Sequence, residues 1–460
     1  VRPAPSRAHW GALEVTADDG GITLVRAGET LLRCTLRPDG APARGVEVEP
    51  DEITLTGAGA GLRWTVRHTF TDAWHTRVVL AAERDHRVDR LRWQLDGPAP
   101  QWHFPAGEIG FTAVLGLADD VLVTRPGPGS LGDDADLGPV ALRAGERRVL
   151  RLRTRWESLA ELVGALPVWL PPLELELDDV LELEHPDAAL VEHPAERTSP
   201  WSEQWPVTLS GPEGEVWLRP CRADTVDAAV GHRAAALLAG APRRQDVPRL
   251  GSAAEALLVS RGEPGAEAEE AVAAVLAGAG SSPTPWHVLL AVEHARRTGE
   301  PSWLATAEQW LDDLALQPGA AVAAVSLLVA VAGAGGQPVA PGAALARWLP
   351  QATGPLALEL EALGGRLSEA SRRTALTLAQ QLGAGLPGLP LPTDDLTAAH
   401  RLALLAWLPD AETRRLEQHL APTSTLPELR QRAERRLLAS RGEELSTEAL
   451  CLLSTAASPS

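Results

Sequence analysis

Two periods of apolar and polar residues divide the chain. From His9 to about Arg155 apolar positions alternate with polar ones in short runs, and clusters of Gly, Pro and Asp separate the runs. The segments 21–26, 30–36, 52–56, 62–70, 76–81 and 88–95 read as strands. In the last of these Leu91, Trp93 and Leu95 fall on one face, and Arg90, Arg92 and Gln94 on the other. The segment 149–156 repeats the pattern after a turn signal at 143–146. Many strands at short spacing, with no helix between them, predict an N-terminal antiparallel β-sandwich.

The segment 158–166 predicts one short helix that stops at Pro167, and Pro171-Pro172 marks a joint. Alternation returns at 173–177, 180–184, 207–209 and 215–219, a small β segment that is either its own module or the end of the sandwich. After Asp224 Ala and Leu dominate and the period becomes helical. The clearest unit is 285–316. Its first helix carries Trp286, Leu289, Leu290, Glu293 and Arg297 on one stripe and ends at Thr298-Gly299. Its second begins near Pro301 and places Trp303, Leu304, Ala307, Trp310, Leu311 and Leu314 on one face. Further helices are expected at 226–239, 252–260, 266–279, 320–332, 343–349, 355–367, 368–382, 396–408, 411–419, 427–439 and 443–455. The expected organisation is multidomain β plus α: a sandwich over 1–170, a small β segment over 171–224, and an all-helical α/α-hairpin domain over 225–460, toroid or solenoid.

Composition changes how these residues are read. Met, Tyr, Lys and Asn are absent, and Phe and Ile are scarce, the signature of a GC-rich bacterial genome. Every cation is therefore Arg, which removes Schiff-base and P-loop lysine chemistry and any N-glycosylation sequon. With 42 basic and 61 acidic residues the net charge is −19, which disfavours nucleic acid and anionic lipid as partners. The three cysteines Cys34, Cys221 and Cys451 are far apart and form no CxxC or Cys/His spacing, so neither a disulfide framework nor a metal site is expected. The first residues lack an apolar signal core, and the most apolar stretch, 320–334, is too short to span a bilayer. A cytoplasmic protein without membrane insertion is the expectation.

A β part followed by a helical array resembles the glycoside hydrolases and phosphorylases that join a galactose-mutarotase-like supersandwich to an (α/α) six-hairpin toroid. HARRTGEPSWLATAEQWL, from His294, is similar to a toroid hairpin, and LRAGERRVLRLRTRWES, from Leu142, resembles a closing supersandwich strand. The helical stretch is short for twelve toroid helices. No matched pair of catalytic carboxylates stands at the family's usual positions. The resemblance implies a carbohydrate-processing or carbohydrate-binding protein, either a glycoside hydrolase-like enzyme or a degenerate relative, with no cofactor. The alternatives are a non-enzymatic scaffold that presents a helical groove to a protein partner, and a purely structural or regulatory protein.

Glycoside hydrolysis needs two carboxyl groups flanking the scissile bond, and sugar faces stack on aromatic rings. Glu203 lies between Trp201 and Trp205 in a loop-like stretch, a candidate acid with two sugar platforms; the alternative is a loop that packs its indoles. Glu293 shares a stripe with Trp286, an unusual place for a carboxylate, and is the second candidate acid; the alternatives are an ion pair with Arg297 and an exposed place at the edge of the stripe. Trp286 and His287 complete the expected substrate-binding set. His287 and His294 have no third ligand at metal spacing. The acidic stretch 132–136 lacks the Gly and Glu of a calcium loop, and the loop 104–108 could line a concave site or be a simple turn.

Overall fold

The computed structural model describes residues 7–96, 101–104, 111–114, 121–126, 140–164, 166, 170–183, 189–192, 194, 196–211, 214–244, 247–279, 283–381, 394–418, 420 and 425–457. Antiparallel β-sheets occupy the N-terminal part and an all-helical region follows. The chain divides into two compact units, one within 1–169, 184–193 and 206–218, the other within 170–183, 194–205 and 219–460. The acidic stretch 132–136 and residues 105–108 lie outside the described residues.

In the first unit the alternating runs form β1 (Arg7–Trp10), β2 (Leu13–Asp18), β3 (Gly21–Arg26), β4 (Glu29–Pro38), β5 (Gly45–Glu49), β6 (Glu52–Gly59), β7 (Leu62–Phe70) and β8 (Trp74–Ala82). There follow β9 (His86–Val88), β10 (Leu91–Asp96), β11 (Gln101–Phe104), β12 (Phe111–Val114), β13 (Val121–Pro126), β14 (Val140–Leu142), β15 (Arg147–Glu157) and the short helix α1 (Leu159–Gly164). One sheet runs β1-β2-β3-β4-β10 and the other β11-β12-β13-β15-β8-β7-β6-β5. The expected single strand over 88–95 is split, because β9 pairs with β14 while β10 pairs with β4. Between them the Arg90 amide donates to Asp39 Oδ1 at 2.8 Å, which turns the chain.

Period-2 alternation lets both sheets bury one face in a shared core. Ile22, Leu24, Leu32 and Leu36 of the first sheet pack with Ile53, Leu55, Val66, Val78 and Leu80 of the second. The hairpins β3–β4 and β6–β7 turn on Ala27-Gly28 and Ala60-Gly61, with φ of +51° and +87°, and +51° and +83°. Positive φ at both central positions is the type I′ geometry that matches the twist of the strands. Polar groups within the core satisfy one another. His68 Nδ1 accepts the Trp74 indole N–H at 3.1 Å and lies 3.0 Å from Thr76 Oγ1. Trp74 also meets Trp10 edge-on, with centroids 6.0 Å apart.

Burial pushes the His68 pKa down to about 3, so the folded ring is neutral. Unfolding exposes a ring whose ordinary value is about 6.5, so the unfolded chain binds the extra proton and stability falls as pH drops from about 6.5 towards 3. We expect His68→Gln to be less stable than the wild type at pH 7 but to lose stability less steeply with acid, measured by guanidinium unfolding across that range. Equal slopes for the two proteins would contradict a buried neutral ring.

The segment 171–224 contributes to both units. Its strands are β16 (Glu174–Leu175), β17 (Ala189–Glu192), β18 (Glu196–Ser199), β19 (Ser202–Gln204), β20 (Val207–Gly211), β21 (Gly214–Leu218) and β22 (Cys221–Ala223). The sheet β17-β20-β21 belongs to the first unit, and β16-β22-β19-β18 to the second, where β16 runs parallel to β22. The alternation at 180–183 forms no strand, and Val180 is exposed.

A two-stranded ribbon, β23 (Arg243–Arg244) and β24 (Val247–Pro248), follows the first helix of the second unit. The helices are α2 (Val226–Gly240), α3 (Ala253–Gly262), α4 (Ala266–Ala277), α5 (Pro285–Thr298), α6 (Ser302–Asp313), α7 (Ala320–Gly333) and α8 (Val339–Trp348). After them come α9 (Gly354–Leu363), α10 (Glu369–Gln381), α11 (Asp395–Ala406), α12 (Asp410–Glu417), α13 (Leu426–Arg441) and α14 (Thr447–Ala457). The stretch that is short for twelve full-length helices thus holds thirteen among the described residues. It does so because the helices are compact, from 8 residues in α12 to 16 in α13. Helix α5 ends at Gly299, whose φ is +73°, as the Thr-Gly signal predicts.

Alternate helices pack in succession: α3 on α5, α5 on α7, α7 on α9, α9 on α11, α11 on α14, and α14 on α3. The intervening α4, α6, α8 and α10 each pack against one or two of these and leave a polar side exposed. Helix α13 lies on the four-stranded sheet, tied by Arg436 to Glu174 at 2.7 Å and by the Ser202 hydroxyl to the Leu438 carbonyl at 3.2 Å. It ends at Gly442 (φ +53°), where a Cβ would sit 2.2 Å from the Thr198 carbonyl oxygen, so any other residue would force the two apart. No described helix is long and apolar enough to cross a membrane.

Candidate functional site

The helices that pack in succession, α7 excepted, are preceded by small hydroxyl or acidic residues. Ser252 opens α3 with a capping box to Glu255, Ser446 Oγ accepts the Ala449 amide at the start of α14, and Thr284 opens α5. A cavity of about 750 Å³ lies where the first turns of α3, α5 and α14 come together, walled on one side by the C-terminal half of α4. Its polar lining includes Arg249, Ser252, Thr284, His287 and Glu448, and its apolar lining includes Ala271, Val275 and Trp286. Capping sequence chooses where these helices begin, and packing of α3 against α5 and α14 brings the beginnings together.

His287 is held by its own helix cap. The Thr284 amide donates to His287 Nδ1 at 3.1 Å, so the neutral ring carries its proton on Nε2. Burial lowers the pKa of His287, which favours that neutral form. Its ring meets Trp310 edge-on at 5.7 Å. The tip of the Trp286 indole packs beside Gly319 at the start of α7, and Leu452 of α14 approaches the same spot. Trp286 is buried and is one of the residues lining the cavity.

The two candidate acids lie elsewhere. Glu203, on β19, pairs with Arg222 at 3.0 Å, and that guanidinium lies over the Trp205 ring, 4.7 Å from its centroid. Trp201 is buried and stacks on His232 of α2 with centroids 5.8 Å apart. Glu293 accepts from Arg261 Nε at 2.9 Å, not from Arg297, whose guanidinium reaches the Ser260 carbonyl instead. Arg261 also donates to Ser454 Oγ at 2.6 Å and Thr455 Oγ1 at 3.0 Å, joining α3, α5 and α14 towards their C-terminal ends. The structure therefore brings Trp286 and His287 to one cavity. It places Glu203 with Trp201 and Trp205 in the packing around the small sheet, and Glu293 in an interhelical ion pair. Among the described residues no group of three His, Cys, Asp or Glu side chains is placed to hold a metal ion. The three thiols are free and buried, and desolvation pushes that of Cys221 up to about 12.

Two polar residues that carry structure escaped the sequence reading. Glu359 of α9 is fully buried and accepts the amides of Gly319, Ala321 and Val322 at 3.3, 3.0 and 3.3 Å, three donors left unpaired at the start of α7. His400 Nε2 of α11 lies 2.7 Å from the same carboxylate. The signal was available, because Glu359 sits between Leu358 and Leu360, and His400 between Ala399 and the apolar run 402–405. Glu448 escaped for the opposite reason: a Glu in a helical first turn is ordinary, and only the neighbouring helices make a cavity beside it.

No protein-family model, curated protein or solved structure matches the chain.

Removing the Glu359 carboxylate strands three amides and His400. Glu359→Ala is expected to lower unfolding free energy by about 3–5 kcal/mol in chemical denaturation, since each buried donor left without an acceptor costs about 1–3 kcal/mol; a loss below about 1 kcal/mol would show that water replaces it easily. At Trp201 the indole N–H is buried without a hydrogen-bond partner among the described residues. Trp201→Phe keeps an aromatic ring and removes the orphan donor, so its thermal midpoint should stay within a few degrees of wild type, equivalent to about 1 kcal/mol or less. A collapse of the fold would reveal a bonded indole.

Proposed function

We propose that the helical unit is an α/α toroid that binds carbohydrate in the cavity at the N-terminal ends of α3, α5 and α14. The return of the helix succession from α14 to α3 supports a closed ring over an open solenoid, whose end helices have no reason to meet. The observation that carries the reading is the cavity itself. Its size falls in the range of small-molecule sites, about 300–1,000 Å³, and it combines an indole with a neutral imidazole donor, hydroxyls and one carboxylate. Such a set suits a polyhydroxylated ligand, whose hydroxyls donate to Glu448 and accept from His287 Nε2–H while a ring C–H face lies on the apolar wall.

Binding, not hydrolysis, is the activity this supports. Hydrolysis of a glycosidic bond requires two carboxyl groups about 5–10 Å apart, and among the described residues lining the cavity Glu448 is the one carboxylate. A glycan-array screen followed by calorimetric titration tests the proposal. We expect retention of at least one glycan class, no cleavage products, and an affinity about tenfold weaker in Glu448→Gln, the loss of one charge-assisted hydrogen bond. Silence across the array, or unchanged affinity in the variant, would sink it.

A further inference from the structure

We infer that Glu359 and His400 are positioning residues of the cavity, holding the Trp286 wall in place through Gly319; this rests on the cavity being the binding site. Neither side chain lines the cavity, and both are buried. Their link to it runs through the start of α7. Ser252, Thr284, Thr353, Asp394 and Ser446 stand before α3, α5, α9, α11 and α14, whereas Gly319 stands before α7. A Cβ on Gly319 would lie 3.3 Å from Trp286 Cη2 and 3.5 Å from Leu452 Cδ2. A capping side chain at that position would crowd both neighbours, and its φ of +84° favours Gly.

The acceptor for the first amides of α7 therefore has to come from another helix. Glu359 Oε1 accepts from Ala321 and Val322, while Oε2 accepts from Gly319 and lies 2.7 Å from His400 Nε2. Each oxygen has two neighbours, so the carboxylate is held on every side. Taking a carboxylate wholly out of water is costly, and a local Ser or Thr cap serves a helix start without that cost. What the distant carboxylate permits is the bare Cα of Gly319, and with it the close approach of the indole. Glu359 and Trp286 thus meet the same glycine, one at its amide and the other at its missing side chain.

Trp286 depends on that contact. Among the described residues its indole makes no hydrogen bond and no ring pair, unlike His287, which has both. Packing alone sets where the indole stands. Leu452 lies one turn beyond Glu448 on α14, so the same glycine touches the helix that carries the cavity's carboxylate. A close-packed interior passes displacement on, and a shift at the start of α7 reaches both walls.

Fluorine NMR of the full chain labelled with 5-fluorotryptophan tests the inference, with the Trp286 line assigned by its loss in Trp286→Phe. Glu359→Gln keeps the side chain's volume but has one oxygen in place of two, so at least one α7 amide loses its acceptor. We expect the Trp286 line to shift more than any other. Gly319→Ala, which leaves the carboxylate in place, is expected to move the same line. Should Glu359→Gln fail to fold by circular dichroism, His400→Leu replaces it with the same direction of effect. An unmoved Trp286 line, or an even shift of all lines, overturns the inference. Titration with maltohexaose, cellohexaose and xylohexaose reads the consequence for binding. For a hexasaccharide the wild type retains, Glu359→Gln and Gly319→Ala should each bind about threefold to tenfold more weakly. The double variant should bind little more weakly than either, because both changes act at the start of α7. Additive losses, or full affinity in Glu359→Gln, also overturn it. The fluorine spectrum needs no sugar, so it decides the inference even where carbohydrate binding fails.

Discussion

The helical unit depends on burying helices over most of their length. Helix α7 contains no charged residue, and α3, α5 and α11 are buried over most of their length. A helix that is apolar all round needs neighbours on every side, and a single layer of hairpins cannot supply them. Each such helix therefore lies between two of its own kind, with amphipathic helices such as α6 and α10 covering the remaining side. The return of α14 to α3 covers the two members that would otherwise end the row.

Burying a whole helix buries its ends as well, and this is where polar chemistry enters the core. The first amides of α7 have no intrahelical acceptors, and water cannot reach them. Glu359 supplies the acceptor from α9, and His400 supplies a further donor from α11. One carboxylate thus joins three successive helices at the point where the apolar helix begins. The ends of α3, α5 and α14 solve the same problem locally, with Ser and Thr caps, and so leave room beside them. The cavity is the space that local capping preserves and interhelical capping fills.

The β unit spends its polar residues differently. Within its core His68, Trp74 and Thr76 satisfy one another, and an uncharged imidazole is the form that burial allows. On its outer face Arg67, Arg77 and Arg151 are lined up by register alone, because alternation sends every second residue outward and pairing sets the outward residues of neighbouring strands side by side. The absence of Lys makes every cation an Arg, yet it does not place them on one face.

Much of the architecture was legible in the residue order, since strand and helix periods are local properties. Alternation marked the strands, the Thr298-Gly299 signal marked the end of α5, and each expected helix from 226 onward has its counterpart among α2 to α14. Where local pattern misled, pairing decided: 88–95 divides because its two ends join different sheets, and 180–183 alternates without a partner strand. The site was less legible. The stripe position that drew attention to Glu293 describes Glu359 better, and what separates the two is whether Arg261 or a helix N-terminus faces the carboxylate. Sequence by itself determined which residues are apolar, where helices and strands start, and that two unlike parts follow one another. Only the tertiary structure decided which carboxylates meet a partner, which helix ends share a cavity and which arginines stand in a row, because those are contacts between residues far apart in the chain, and no local period encodes them.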